Sequence, residues 1–256
     1  MKTVRLDVYL TENGLCKSRT AAQELIKAGG VSVNGAPCTK PSAQTAQGDG
    51  ITLTAAPARY VGRGGFKLEA ALEGEPRHDV HGAVCVDIGA STGGFTDCLL
   101  QHGAALVFAV DVGTGQLDEG LRADGRVVSL EKTDIRGFSF EELPQELRAR
   151  LPEGFCGADF VCTDVSFISL RLILPHMYRL LRAGGEAVAL IKPQFEAGRS
   201  ALGKKGVVTD PGVRERTAAQ ITQFAQECGF EVILRQDSPI TGGDGNREYL
   251  LSLCRR

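Results

Sequence analysis

Two short segments of this chain end apolar runs on residues that could together manage a hydroxyl group. Asp164 lies in Thr163-Asp164-Val165-Ser166-Phe167, and Lys192 lies in Ile191-Lys192-Pro193-Gln194-Phe195. An apolar run closed by a polar residue reads as a buried strand that delivers that residue to the edge of a sheet. A lysine and an acid delivered to neighbouring strand ends suit a hydroxyl nucleophile, because the lysine can orient the hydroxyl and, when neutral, accept its proton. An amine nucleophile is served differently, by an Asn-Pro-Pro-aromatic or Asp-Pro-Pro-aromatic segment, and the prolines are absent here. Taken singly, Lys192 also reads as a solvated surface lysine and Asp164 as a helix N-cap.

A second chemistry-bearing segment is Val84-Cys85-Val86-Asp87-Ile88-Gly89-Ala90-Ser91-Thr92-Gly93-Gly94-Phe95-Thr96, an apolar strand ending in an acid, then a glycine-rich turn into a helix. A dinucleotide site would show Gly-x-Gly-x-x-Gly with helix N–H groups facing a pyrophosphate. Here the glycines fall at 89, 93 and 94, and the carboxylate of Asp87 would repel an anion. A ligand with a cationic amino-acid end and no phosphate fits better, and S-adenosylmethionine is such a ligand. Gly89, Ser91, Gly93, Gly94, Phe95 and Thr96 form the expected cofactor loop, with Asp87 at the amino-acid end. Asp111 closes the next strand 24 residues after Asp87 and is expected on the ribose diol. Asp134, after the third strand, is expected on the adenine amino group. Each of these acids also reads as a plain strand-end or N-cap residue.

These residues need a sheet to hold them. Strand patterns at Val84–Asp87, Leu106–Asp111, Val127–Leu130, Asp159–Thr163, Ala187–Ile191, Val232–Leu234 and Tyr249–Leu253 alternate with helical ones, clearest at Leu170 to Leu181 and Pro211 to Cys228. That alternation predicts an α/β fold, a doubly wound Rossmann-like domain with a mainly parallel sheet covered on both faces. Ligands of such sheets bind at the carboxyl ends of the strands, where the strand order reverses. Ahead of it, Leu6, Val8, Leu10 and Leu15 suggest a short helix. A second helix capped by Ser18 carries Ala21, Ala22, Leu25 and Ile26 on one face and stops at Gly29-Gly30. Val31–Val33, an Asn34-Gly35 turn and Ile51–Leu53 complete a small α/β module. The stretch Ala55-Ala56-Pro57-Ala58-Arg59 reads as a hinge that Gly62-Arg63-Gly64-Gly65 continues, and the expected division is a module over 1–60, a linker over 61–65 and the larger domain over 66–256.

Charge separates the two parts as well. Residues 1–67 carry nine Lys/Arg against four Asp/Glu, a balance of +5, and the remainder carries −7 within a net charge of −2. A basic module on an acidic domain suits a polyanionic partner, although five charges also read as a solvated surface. Lys17, Arg19 and Lys27 fall at the rim of the second helix. Lys204 and Lys205, in a glycine-rich loop over 198–205 that equally reads as a plain surface loop, and Arg63 are further candidates for phosphates of a polyanion, where contacts position without reading sequence. The apolar runs are too short to span a bilayer and no signal peptide opens the chain, so a cytoplasmic protein without membrane insertion is expected. The eight cysteines form no Cys-x-x-Cys pair and the four histidines no i, i+4 pair, so no metal is expected.

With these residues in view, a family resemblance becomes specific. Lys67 in RGGFKLEAAL, Asp164 in TDVSFISL, Lys192 in IKPQFE and Glu248 in GNREYLL together resemble the Lys-Asp-Lys-Glu tetrad of FtsJ-type ribose 2′-O-methyltransferases. RLDVYL…GLCKSRTAAQELIKAGGVSVNG resembles the α-L RNA-binding module of a ribosomal protein. The two in this order, joined through RGGFKL, resemble the TlyA family of rRNA cytidine 2′-O-methyltransferases across essentially the whole chain. The resemblance implies that Lys192 acts on the target 2′-hydroxyl, that Asp164 and Lys67 orient and tune it, and that Glu248 completes the network. It also implies S-adenosylmethionine as methyl donor and ribosomal RNA as partner, free or within a subunit. The competing readings are an RNA-binding protein with a vestigial methyltransferase domain, an oxidoreductase, and a membrane-lytic protein of the kind the family's "hemolysin" label suggests. The lytic reading calls for a spanning or strongly amphipathic apolar helix, which the sequence does not show.

Overall fold

The computed structural model describes residues 3–46, 48–55, 59–203, 205–242 and 245–256. The N-terminal unit opens with β1 (Thr3–Arg5), α1 (Leu6–Glu12) and α2 (Arg19–Lys27). Ser18 caps α2 by accepting from the Ala21 N–H at 3.2 Å. Leu6 and Leu10 of α1 and Ala22, Leu25 and Ile26 of α2 close over Val31 as a separate small core. Then come β2 (Val31–Val33), β3 (Ala36–Pro37), β4 (Gln44–Ala46) and β5 (Ile51–Leu53). Asn34 and Gly35 both have positive φ, 53° and 79°, as the tight turn between β2 and β3 demands. The pairing of β1 with β4 was not foreseen from sequence.

The larger unit alternates α3 (Gly64–Gly74), β6 (Val84–Ile88), α4 (Gly94–Gln101), β7 (Leu106–Val110), α5 (Glu119–Ala123), β8 (Val127–Leu130), α6 (Gln145–Arg148) and β9 (Ala158–Thr163). It continues with α7 (Leu174–Leu180), β10 (Leu181–Ile191), α8 (Pro193–Glu196), α9 (Pro211–Glu227), β11 (Phe230–Asp237) and β12 (Tyr249–Arg255). The seven strands form one sheet in the order β11-β12-β10-β9-β6-β7-β8. β6 runs parallel to β7 and β9, β7 to β8, and β9 to β10, whereas β12 is antiparallel to both neighbours. Successive residues of a strand face opposite ways, so Val84, Val86 and Ile88 join one core layer and Cys85 the other. The first layer holds Met177 of α7 and Ile221 of α9, and the second holds Leu68 of α3 and Leu99 of α4. This is a three-layer, doubly wound α/β domain, with the order reversing between β6 and β9.

Two expectations need correction. The single helix expected from Leu170 to Leu181 is a 3₁₀ turn at Leu170–Leu172 followed by the shorter α7, because Pro175 lacks an N–H and is tolerated only in a first turn. Leu181 already belongs to β10, where it pairs with Ala158. The expected linker over 61–65 is packed structure. Tyr60 and Val61 are buried in the same core layer as Leu68 and Leu99, and Gly64 and Gly65 begin α3. Of the proposed hinge, residues 56–58 lie outside the described residues. All eight cysteines are free; Cys16, Cys85, Cys98 and Cys162 are buried and Cys156 is exposed.

Tyr60 and Gly65 fit so closely that a Cβ at Gly65 would lie 2.2 Å from Tyr60 Cγ. Gly65→Ala should therefore lower the unfolding free energy by about 1–3 kcal/mol through overpacking. In a double-mutant cycle with Tyr60→Ala, read by denaturant unfolding, the two costs should be clearly less than additive. Additive costs would show that residue 60 does not constrain the start of α3.

Candidate active site

The register of the sheet decides which side chains meet. Thr163, at the end of β9, pairs with Ile88 at the end of β6, and Asp164 N–H donates to the Ile88 carbonyl at 3.3 Å. β12 runs against β10, so its first residue, Tyr249, pairs with the last of β10, Ile191. Glu248 and Lys192, the next residues outward on each strand, are thereby brought to the same edge. Lys67 comes from the first turns of α3, whose buried stripe also holds Leu68, Ala71 and Leu72. Four residues far apart in sequence converge outside the carboxyl ends of β6, β9 and β10.

They form a continuous ion chain. Glu248 Oε2 lies 2.7 Å from Lys67 Nζ, Lys67 Nζ lies 3.3 Å from Asp164 Oδ2, and Asp164 Oδ1 lies 2.6 Å from Lys192 Nζ. Lys67, Lys192 and Glu248 are all under a tenth exposed. Two of these contacts are ion pairs by distance without hydrogen-bond alignment, because Asp164 Oδ1 and Glu248 Oε2 have no directional donor. These two oxygens thus hold their neighbours by charge. Lys192 Nζ also donates to Ser166 Oγ at 2.8 Å and to the Asp164 carbonyl at 3.4 Å.

Two cavities adjoin this chain. One of about 240 Å³ is lined by Gly89, Ser91, Gly94 and Phe95 of the glycine-rich loop together with Asp164 and Lys192. The other, of about 480 Å³, is lined by Asp111, Asp134 and Asp164 and by apolar Val112, Ile135 and Phe167. Asp111 accepts from the Ser91 N–H at 2.8 Å and the Gly113 N–H at 2.7 Å, which fixes its carboxylate at the rim of the loop. Asp134 caps a 3₁₀ turn and is ion-paired to Arg136 at 2.6 Å, and this hydrogen-bonded guanidinium lowers its carboxyl to about 2. Gly94 permits the close approach of two helices, since a Cβ there would lie 3.0 Å from the backbone N of Gly65.

Several of the expected site residues have partners within the protein. Asp87 is fully buried and accepts from Thr96 Oγ1, itself buried, at 2.7 Å. Neither side chain reaches a cavity wall, so the pair ties β6 to α4 and does not touch a ligand's amino-acid end. Gly93, with φ 97°, shapes the turn from behind, where a Cβ would meet Leu121 Cδ1 at 2.3 Å. Among the RNA candidates, Lys17 is ion-paired to Asp97 at 3.7 Å and Arg19 to Asp7 at 3.2 Å. Arg63 donates to the Thr241 carbonyl at 2.8 Å, joining α3 to the loop before β12. Lys27 and Lys205 are exposed, and Lys204 lies outside the described residues. Sequence reasoning passed over Val112, Ser166 and Phe167. The two-residue step from Asp164 to Ser166 was a readable signal, whereas the left-handed backbone and 90% exposure of Phe167 were not.

Burial raises the Asp87 carboxyl from 3.8 to about 7, partly offset by the Thr96 hydrogen bond. Between those values the unfolded chain ionises while the folded protein keeps its proton, so this group's stabilising contribution is full below about pH 4 and is lost as pH rises to about 7. Asn at this position keeps an acceptor for Thr96 and cannot ionise. The stability of the wild-type protein relative to Asp87→Asn should fall across that window, by at most about 1.4 kcal/mol per pH unit. Parallel stability profiles from denaturant unfolding at several pH values would contradict the burial argument.

Comparison with known proteins agrees with this geometry. Residues 60–255 match the FtsJ-like methyltransferase family and residues 4–51 match the S4 domain. The chain is 42% identical over 253 residues to the Mycobacterium tuberculosis protein named 16S/23S rRNA (cytidine-2′-O)-methyltransferase TlyA, covering 98% of this chain and 90% of that protein. It is 41% identical over 247 residues to a Brachyspira hyodysenteriae protein named Hemolysin A, covering 96% and 98%. A solved protein of Streptococcus thermophilus with a provisional hemolysin name superposes with a TM-score of 0.73 at 43% identity, covering all of this chain and 89% of that one. With its ion chain, its cofactor-type loop and a match over most of its length, this chain belongs to the FtsJ-like methyltransferase family.

Proposed function

We propose that the protein transfers the methyl group of S-adenosylmethionine to the 2′-hydroxyl of a cytidine in ribosomal RNA, in the cytoplasm and free or within a subunit. The observation that carries this reading is the buried ion chain Glu248–Lys67–Asp164–Lys192 at the mouth of the two cavities. The naming of a 42%-identical relative as an rRNA cytidine 2′-O-methyltransferase supports the substrate.

The cavity walls suit this cofactor. Three carboxylates, Asp111, Asp134 and Asp164, border the larger space, where a phosphate would be repelled and a hydroxyl-rich ligand with a cationic end would be held. Asp111 would hold the ribose diol, Asp134 the adenine amino group, Val112 and Ile135 the faces of the base, and Gly89, Ser91, Gly94 and Phe95 the amino-acid end. Bound there, S-adenosylmethionine supplies an electrophilic methyl group. The rest falls to this chain's own residues. Asp164 holds Lys192, and the Ser166 hydroxyl is the neutral partner that an incoming 2′-hydroxyl can replace on Lys192 Nζ. Lys192, after giving up its own proton to solvent, takes the proton of that hydroxyl, while Lys67, balanced by Glu248, holds the other oxygen of Asp164. General-base assistance of this kind typically contributes ~10²–10⁴-fold, and alignment supplies the remainder. The N-terminal unit, with exposed Lys27, supports RNA docking through phosphates.

Nothing in the site favours a lytic activity. Among the described residues no helix is long and apolar enough to cross a membrane, and a buried chain of charges, a poor way to gain stability, suits a site that handles protons.

Lys192→Ala and Lys192→Arg separate the base from the fold. Both should bind S-adenosylmethionine with nearly wild-type affinity by calorimetry, and both should lose methyl transfer to rRNA by at least ~10²-fold, since a guanidinium stays protonated. Transfer of labelled methyl at near-normal rates by both variants would reject Lys192 as the base. Label on a nucleobase in place of ribose would reject the reaction.

A further inference from the structure

Beyond the strand ends the sheet no longer holds Asp164 and Lys192 together. The last pairing of β9 with β10 joins Thr163 to Ala189, so Asp164 stands one residue past it and Lys192 three. The chain after Asp164 has no regular structure until the 3₁₀ turn at Leu170–Leu172, and Phe167 within it has a left-handed backbone, φ 65°. The chain after Lys192 is α8, four residues long. A single helical turn has no stability of its own, so its outer end must be tied down from outside.

The two outgoing segments are tied at successive levels. Nearest the sheet, Lys192 Nζ donates to Ser166 Oγ at 2.8 Å. Farther out, the rings of Phe167 and Phe195 lie 5.0 Å apart. At the end of α8, Glu196 accepts from Ser169 Oγ through Oε2 at 2.6 Å and from the Leu170 N–H through Oε1 at 2.7 Å. Both bonds are charge-assisted, and such bonds are about twice as strong as neutral ones. They also end on a fixed point. Leu170 is buried in the core layer of Met177, and Ser169 Oγ accepts from the Arg171 N–H at 3.2 Å. Glu196 is not among the described residues that line the two cavities beside the ion chain, nor the further cavity of about 620 Å³ that has Lys192 and Glu248 in its wall.

Resting on the ribose-methylation reading, we infer that Glu196 is a positioning residue for methyl transfer: its carboxylate clasps the segment that follows Asp164 to the segment that follows Lys192, and so fixes Lys192 against Asp164 and Ser166. It touches no substrate and acts through Lys192. With the clasp open, α8 loses its outer tie, and the lysine it adjoins is no longer aligned with the hydroxyl.

Glu196→Met keeps the length of the side chain and loses both acceptors. Glu196→Gln keeps an acceptor for the Leu170 N–H and turns an NH₂ toward Ser169 Oγ, which can accept it. Methyl transfer is followed in single turnovers, with the full-length protein in excess over ribosomal particles that lack the modification. Glu196→Met should lower the rate constant by about ten- to a hundredfold without weakening binding to the particles, as misalignment of a reacting group does. Glu196→Gln should restore most of the rate, and both should bind S-adenosylhomocysteine as the wild type does. Ser169→Ala, which removes one of the two donors, should show a smaller loss of the same kind, and it decides the question if the Met protein does not bind S-adenosylhomocysteine. Added to Lys192→Ala, Glu196→Met should lower the residual rate no further, because the group it positions is gone. A wild-type rate in Glu196→Met, a Glu196→Gln protein as slow as Glu196→Met, or an equal further loss in the Lys192→Ala background would overturn the inference. A wild-type protein that methylates no ribose, or a Lys192→Ala protein of near-normal rate, would overturn the functional reading instead.

Discussion

Two ammonium groups and two carboxylates lie side by side at the edge of the sheet, largely out of water, and each is tolerable there only because of the others. The chain from Glu248 through Lys67 and Asp164 to Lys192 is neutral overall, and its closest pairs are 2.6 and 2.7 Å apart. Removing either inner member, Lys67 or Asp164, leaves an end charge buried without its partner, which typically costs about 3–5 kcal/mol. A well-packed apolar cluster would hold the same strands together at least as well. The arrangement therefore makes sense as a device for presenting a lysine with its surroundings already fixed, and the rest of the fold can be understood as what that device requires.

It requires, first, strand ends in register. β9 and β10 deliver Asp164 and Lys192 in parallel, but Glu248 can join them only because β12 runs the other way, so that its start meets the end of β10. It requires, second, that a helix outside the sheet reach in. α3 does so by lying close against α4, an approach that Gly64 and Gly94 allow because neither carries a side chain. The same contact ties the cofactor-type loop to the N-terminal unit. Val61 N–H donates to Asp97 of α4 at 2.9 Å, and its carbonyl accepts from Ser18 Oγ, the cap of α2, at 3.2 Å. A single residue thus touches the helix that follows the loop and the helix that carries the basic rim.

The alternation of strands and helices was legible in the sequence because apolar period and length report burial directly, and Asp164 and Lys192 could be found as polar residues closing such runs. Lys67 and Glu248 could not be found that way. One lies inside a helix and the other before an antiparallel strand, so their meeting depends on tertiary register, and only resemblance pointed to them. Asp87 shows the opposite failure. An acid at a strand end looked like a ligand contact, but its side chain alternates onto the covered face, where Thr96 takes its oxygen. Lys17 and Arg19 had the charge expected of an RNA surface, yet sequence does not reveal that Asp97 and Asp7 stand within reach. Periodicity reports which residues are inside; it does not report which polar groups find one another.

The central claim is that this ion chain serves methyl transfer to a ribose hydroxyl of ribosomal RNA. It is tested most directly by a mass-spectrometric map of ribose methylation in ribosomal RNA from cells with the protein, without it, and with it restored. At least one 2′-O-methylcytidine should disappear with the protein and return with it. Identical ribose maps in all three, or a difference confined to methyl groups on bases, would contradict it.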